Sequence, residues 1–163
     1  MPFRARSRIA AAIACLALVL PVRADPGAEP GQAAARFEDW TLRCADGCTL
    51  RTAVVSAGAP ADLLEARLAA GRDHLVLATP LPLYLPDPLE LGLGEAAPRA
   101  LPWLTCGPDG CEVRVPLDAA LLADLRRERQ AAVAFTLLDG TRVRLEVSLM
   151  GFTAGERALR AAE

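Results

Sequence analysis

Apolar and polar residues alternate most cleanly in residues 141–149 (TRVRLEVSL). Val143, Leu145, Val147 and Leu149 fall on one side of an extended strand, with Arg142, Arg144, Glu146 and Ser148 on the other. A period of two is what a strand with one face on a core requires. Residues 133–138 precede it across Asp139-Gly140, so the pair reads as a β-hairpin closed by a two-residue turn. Trp40-Thr41-Leu42-Arg43 and Thr49-Leu50-Arg51-Thr52 flank Ala45-Asp46-Gly47 and predict a second hairpin. Residues 63–69 (LLEARLA) suit a helix by propensity. They are short, however, and stand between turn formers ahead of the strand-like residues 74–79 (HLVLAT), so the two predict a third hairpin. Leu89-Glu90-Leu91-Gly92-Leu93 alternates again.

Two stretches break the pattern. Residues 80–88 (PLPLYLPDP) cannot be a central strand, because each proline removes a ladder donor; they predict an extended connection that packs its leucines inward. Residues 118–128 predict one short helix: Asp118 can cap it, Leu121, Leu122 and Leu125 share a face, and Arg126 and Arg127 suit its C-terminal end. Residues 151–162 are open between a short helix and a frayed tail. Many short strands, Gly/Pro turns and one helix describe an all-β chain, a β-sandwich or a small barrel.

The N-terminal residues stand apart from this pattern. Arg4, Arg6 and Arg8 precede the apolar residues 9–20, and Pro21-Val22-Arg23-Ala24 ends in a small residue. That order predicts a secretory signal peptide over residues 1–24, cut ahead of Asp25. Residues 25–35 (DPGAEPGQAAA) have little to bury and read as a flexible leader, leaving residues 36–160 as a single domain. No second hydrophobic span follows. Export implies the periplasm, association with the outer membrane, or secretion. Removing the four signal-region arginines leaves 14 arginines against 20 acidic residues, a formal charge of −6 in place of −2. An acidic chain of this kind lacks the electrostatic footprint of a nucleic-acid binder.

Beyond the signal region stand Cys44, Cys48, Cys106 and Cys111. An even number in an exported chain favours disulfides, and three pairings are possible. Spacing favours Cys44 with Cys48 and Cys106 with Cys111, because Ala-Asp-Gly and Gly-Pro-Asp-Gly are turn formers that bring their flanks together. The alternative, a four-cysteine zinc site, fits less well: thiolates compete poorly with oxidation outside the cytoplasm. Neither pair has the Cys-x-x-Cys spacing of a thioredoxin-like centre.

Catalytic machinery is not apparent, so no catalytic, cofactor-binding or metal residue is assigned. His74 is the sole histidine and opens a predicted strand. Ser56 and Ser148 lack a nucleophile-elbow context. Glu38 and Asp39, adjacent on a strand, would face opposite ways, and Gly92-Leu93-Gly94 signals only a turn. The arginines at 126–129, 142 and 144 can be read as an anion-binding patch or, more in keeping with base rates, as solvated faces.

Several of these pieces together resemble the invasion-associated locus B family of exported bacterial proteins: Phe37-x-x-Trp40-x-x-x-Cys44 with Cys48, the residues 80–86 (PLPLYLP), Cys106-Gly-Pro-Asp-Gly-Cys111, Pro116-Leu117-Asp118-Ala119-Ala120 with the two leucines after it, and the closing Val147-Ser148-Leu149-x-Gly151-Phe152. The chain departs from the family pattern in its very short first inter-cysteine loop and at Arg51-Thr52, where a glutamine is common. The resemblance implies an immunoglobulin-like β-sandwich with structural disulfides Cys44/Cys48 and Cys106/Cys111, and no agreed catalytic residues. The expectation is a non-enzymatic envelope binding protein whose partner is another envelope protein, a surface polymer or a host-surface component. The alternatives are a small-molecule or lipid carrier, which needs a cavity inside the sandwich, and an enzyme with a carboxylate site. A deep pocket with strongly perturbed carboxylates would favour the enzyme; an exposed apolar surface would favour binding.

Overall fold

The computed structural model describes residues 33–55, 63–71 and 73–162. The segment read as a signal peptide, the leader up to residue 32 and Ser56 lie outside the described residues. One antiparallel sheet places in order β1 (Ala33–Phe37), β2 (Trp40–Cys44), β3 (Cys48–Val54), β4 (Leu64–Ala69), β5 (His74–Thr79), β9 (Gly110–Pro116) and β8 (Thr105–Gly107). The second has the order β11 (Arg142–Ser148), β10 (Gln130–Thr136), β6 (Leu89–Leu93) and β7 (Arg99–Leu101). Ala33–Ala35, assigned above to the leader, therefore belong to the sheet, where Ala35 pairs with Leu42. Strand hydrogen bonds depend on the backbone, so three small alanines can join an edge that their side chains do not predict.

Alternation places the core. Leu64, Ala66 and Leu68 of β4, Leu75 and Leu77 of β5, and Val113 and Val115 of β9 point inward from the first sheet. They meet Leu89, Leu91, Val133 and Val147 from the second in one continuous cluster. Each such leucine or valine contributes about 1.5–3 kcal/mol relative to an exposed position. Residues 63–69, ambiguous by propensity, are a strand because both of their long edges are paired, to β3 and to β5.

The β10–β11 hairpin differs from its predicted form by one residue. Its loop is Leu138-Asp139-Gly140, closed by a hydrogen bond from Leu137 N–H to the Thr141 carbonyl at 2.9 Å. The reason is register. Residues directly opposite in an antiparallel pair share a face, and Val133↔Leu145 and Phe135↔Val143 are opposite. A two-residue turn would set Val133 against Glu146, an inward residue against an outward one. The three-residue loop needs a left-handed third position, which Gly140 supplies at φ 85°.

α1 (Ala119–Arg127) forms as predicted, with Asp118 Oδ1 accepting from Leu121 N–H at 2.7 Å and Leu121 and Leu125 buried. The closing segment is a second helix, α2 (Phe152–Ala161), beyond the single helix expected. It packs on the first sheet: Phe152 meets Trp40 edge-on at 5.2 Å between ring centroids, and Gly155 lies against Leu50. Gly151 opens it at φ 88°, where an added Cβ would stand 1.9 Å from the Phe37 carbonyl oxygen. The Trp40 indole N–H donates to the Ser148 carbonyl at 3.0 Å and ties β2 to β11.

Candidate functional site

Both local disulfides are present, Cys44–Cys48 and Cys106–Cys111. Each joins residues directly opposite in a ladder, at the β2–β3 and β8–β9 hairpin tips. The four thiols are thus consumed as staples, which leaves none of them as a thiolate ligand for zinc. Among the described residues no three histidine, cysteine, aspartate or glutamate side chains come together as a metal site.

The polar residues weighed for chemistry stay dispersed. His74 begins β5, half-buried, with Nδ1 3.4 Å from the exposed Asp73 carboxylate. Ser148 donates to Asp39 at 2.6 Å and accepts from Met150 N–H, so it fastens the β1–β2 turn to β11. Glu38 and Asp39 form that turn rather than part of a strand, with Phe37 paired to Trp40 around them.

The arginines divide by position. Arg126 is bound to Glu156, Arg127 to Asp124 and Glu128, and Arg142 to Glu90 at 2.5 Å. Arg129 and Arg144 are exposed and line a shallow groove of about 640 Å³ on the outer face of the second sheet. Its floor is Gly92, Ala132 and Ala134, and its walls mix both signs of charge.

Among the described residues Glu156 is the one fully buried carboxyl. Burial pushes its pKa up, but hydrogen bonds from Arg126 and Arg160 and the two positive charges outweigh that and hold it below the ordinary carboxylate value. It is an anchor between α1 and α2, with both carboxylate oxygens already engaged.

The distinctive surface is at the end of the sandwich where β5, β8 and β10 finish. The proline-rich residues 80–88 were expected to turn their leucines inward. Only Leu83 does, at 6% exposure, where it bridges to Leu137 and Tyr84 N–H donates to the Thr136 carbonyl. With donors missing at four prolines the segment meets the end of β10 through only a few contacts, and Leu83 is the one leucine they draw in. Leu81, Tyr84 and Leu85 stand out into solvent, joined by Leu104 and Leu138, with exposures from 43% at Tyr84 to 65% at Leu138. Between Leu85, Pro86 and Pro88 on one wall and Pro102, Trp103 and Leu104 on the other runs an open groove of about 390 Å³.

Asp87 holds this end together. Its backbone carbonyl accepts from the Trp103 indole N–H at 2.9 Å, and its carboxylate accepts from the Thr136 hydroxyl at 2.8 Å. The Cys106–Cys111 bond stiffens the hairpin that adjoins the groove. Sequence reasoning missed these exposed residues. The available signal was proline density: a leucine that cannot enter a ladder has no built-in reason to face the core.

Two antiparallel sheets around one apolar core, with hairpin tips pinned by disulfides, define a stapled β-sandwich with one exposed apolar loop end. The particular family follows from comparison. The family model described as invasion associated locus B (IalB) protein matches residues 32–160, and the chain belongs to that family. Two invasion protein B homologs of Brucella abortus, from strain 2308 and from biovar 1 strain 9-941, are each 32% identical over 127 residues, covering 72% of this chain and 73% of theirs. The crystal structure of invasion associated protein b from Bartonella henselae matches with a TM-score of 0.69 at 21% identity, covering 78% of this chain and 95% of that one. That likeness is one of fold.

Proposed function

We propose that this chain is a non-enzymatic binding protein of the bacterial cell envelope, exported to the periplasm or to the outer membrane, and that it docks a partner through the apolar loop end. The observation that carries the reading is the open Trp103 groove walled by half-exposed Leu85 and Leu104, with Leu81, Tyr84 and Leu138 exposed on the loops of the same end. Exposed apolar side chains gathered at one end of a rigid frame are costly to leave in water and mark interaction surfaces. The two disulfides favour an oxidising compartment, in keeping with the signal-like N-terminal residues.

Two observations weigh against the alternatives. A carrier needs room between the sheets, typically about 300 Å³ or more, whereas the cavity among Trp40, Leu91, Val133 and their neighbours is about 10 Å³. An enzyme using a perturbed carboxylate would need that group free to exchange a proton, and Glu156 is closed in by two arginines. The names of the relatives make a host-surface component one candidate partner, beside an envelope protein or a surface polymer.

The test is mild crosslinking and pull-down from the native envelope with oxidised wild type and with the double variant Leu85→Ser/Leu104→Ser. A partner recovered by wild type and lost with the variant is expected. Recovery of nothing, or of the same partner by both, overturns the reading.

A further inference from the structure

The chemistry of the partner can be taken further, and this step rests on the docking reading above. The apolar end is built from residues 80–88, 102–110 and 136–141. These loops hold three aspartates, Asp87, Asp109 and Asp139, and no arginine, although the chain carries 18 arginines. None of the three aspartates has an ion pair among the described residues. Asp87 is occupied by the Thr136 hydroxyl, and Asp139 accepts from Thr141 N–H at 2.9 Å. Asp109 is exposed.

Two arginines border this end, and both are answered by carboxylates. Arg142 comes within 3.5 Å of Thr136 Oγ1 but is held by Glu90. Arg67, beside the Cys106–Cys111 hairpin, is held by Glu112 and Glu65. The uncommitted charge on the loops of this end is therefore negative. The opposite end of the sandwich, where β9 runs into α1 and α1 into β10, carries Arg126, Arg127 and Arg129.

We infer that the apolar end is a docking site for an extended, cationic segment of a partner protein, whose apolar side chains enter the Trp103 groove while its lysines or arginines meet Asp109 and Asp139. An apolar end whose loops carry these aspartates rejects an anionic lipid surface by like-charge repulsion, which is why a membrane is the disfavoured occupant. Apolar contact supplies affinity, and the aspartates supply selection against acidic competitors.

The test uses the oxidised full domain and three synthetic extended peptides with identical apolar positions, whose intervening positions are all arginine, all glutamine or all glutamate. Trp103 is the local reporter, since the other tryptophan, Trp40, is buried. The arginine peptide is expected to bind about tenfold more tightly than the glutamine peptide at low salt, with the glutamate peptide weakest. Raising the salt should narrow these differences. Asp109→Asn with Asp139→Asn should weaken the arginine peptide by about three- to tenfold and leave the glutamine peptide unchanged. Leu85→Ser/Leu104→Ser should remove binding of every peptide.

Equal affinity for the arginine and glutamine peptides leaves the docking surface standing and overturns the charge inference. Failure of all three peptides overturns both. Binding to anionic-lipid vesicles in place of peptides, or self-association lost in Leu85→Ser/Leu104→Ser, assigns the end to another occupant and overturns the inference.

Discussion

Replacing Glu156 by glutamine tests how the two helices are held to each other. The carboxylate is fully buried, with Arg126 Nη2 at 2.7 Å from Oε2 and Arg160 Nε on Oε1. Glutamine keeps the volume and one acceptor oxygen, but it turns an NH2 toward one arginine and removes the charge that both arginines face. A hydrogen bond to a charged group contributes about 1.5–3 kcal/mol, and breaking a buried pair costs about 3–5 kcal/mol. Arg126 and Arg160 are 39% and 53% exposed and can turn to water once released, which offsets part of the loss. A cost of about 2–3 kcal/mol at pH 7 follows. Because the folded pKa is depressed, the stabilisation is present in full above the ordinary carboxylate range and is lost as pH falls through the depressed value. Urea unfolding of the oxidised proteins, followed by tryptophan fluorescence and circular dichroism from pH 7 into acid, should therefore show wild type and Glu156→Gln converging at low pH. A difference below about 0.5 kcal/mol at neutral pH, or one that does not shrink in acid, refutes the reasoning.

Four further substitutions probe other parts of the fold by the same unfolding measurement. Gly151→Ala, which forces a side chain into a left-handed backbone against the Phe37 carbonyl, should cost more than about 3 kcal/mol. Leu83→Ala should cost about 2–4 kcal/mol, while Leu85→Ala, two residues on but facing solvent, should cost less than about 0.5 kcal/mol; equal costs would mean that the segment does not touch β10 as described. Thr79→Val should stabilise by about 1 kcal/mol, because Thr79 Oγ1 is buried without a hydrogen-bond partner and valine removes the hydroxyl at nearly the same shape.

Much of the fold was legible because its physical cause is local. Alternation in residues 89–93 and 141–149 selects a core face wherever one side of a strand is buried, and Asp118 caps its helix through its own side chain. The disulfide turns were legible for the same reason. The hairpin at Asp139-Gly140 shows the limit of a local motif. The dipeptide alone favours a two-residue turn, and the facing pairs Val133↔Leu145 and Phe135↔Val143 override it. α2 was illegible because what holds it is remote in sequence: Phe152 on Trp40, Gly155 on Leu50, and Glu156 between Arg126 and Arg160.

Sequence by itself determined the family pattern, the all-β class, the staples and the strands whose two faces differ in polarity, since all of these depend on neighbouring residues. Tertiary structure alone decided which leucines of the proline-rich connection are core and which are surface. An extended chain without ladder donors has no intrinsic inside. Its contacts at the end of β10 bury Leu83 and leave Leu81, Tyr84 and Leu85 outward, and they create the apolar end on which the functional reading rests.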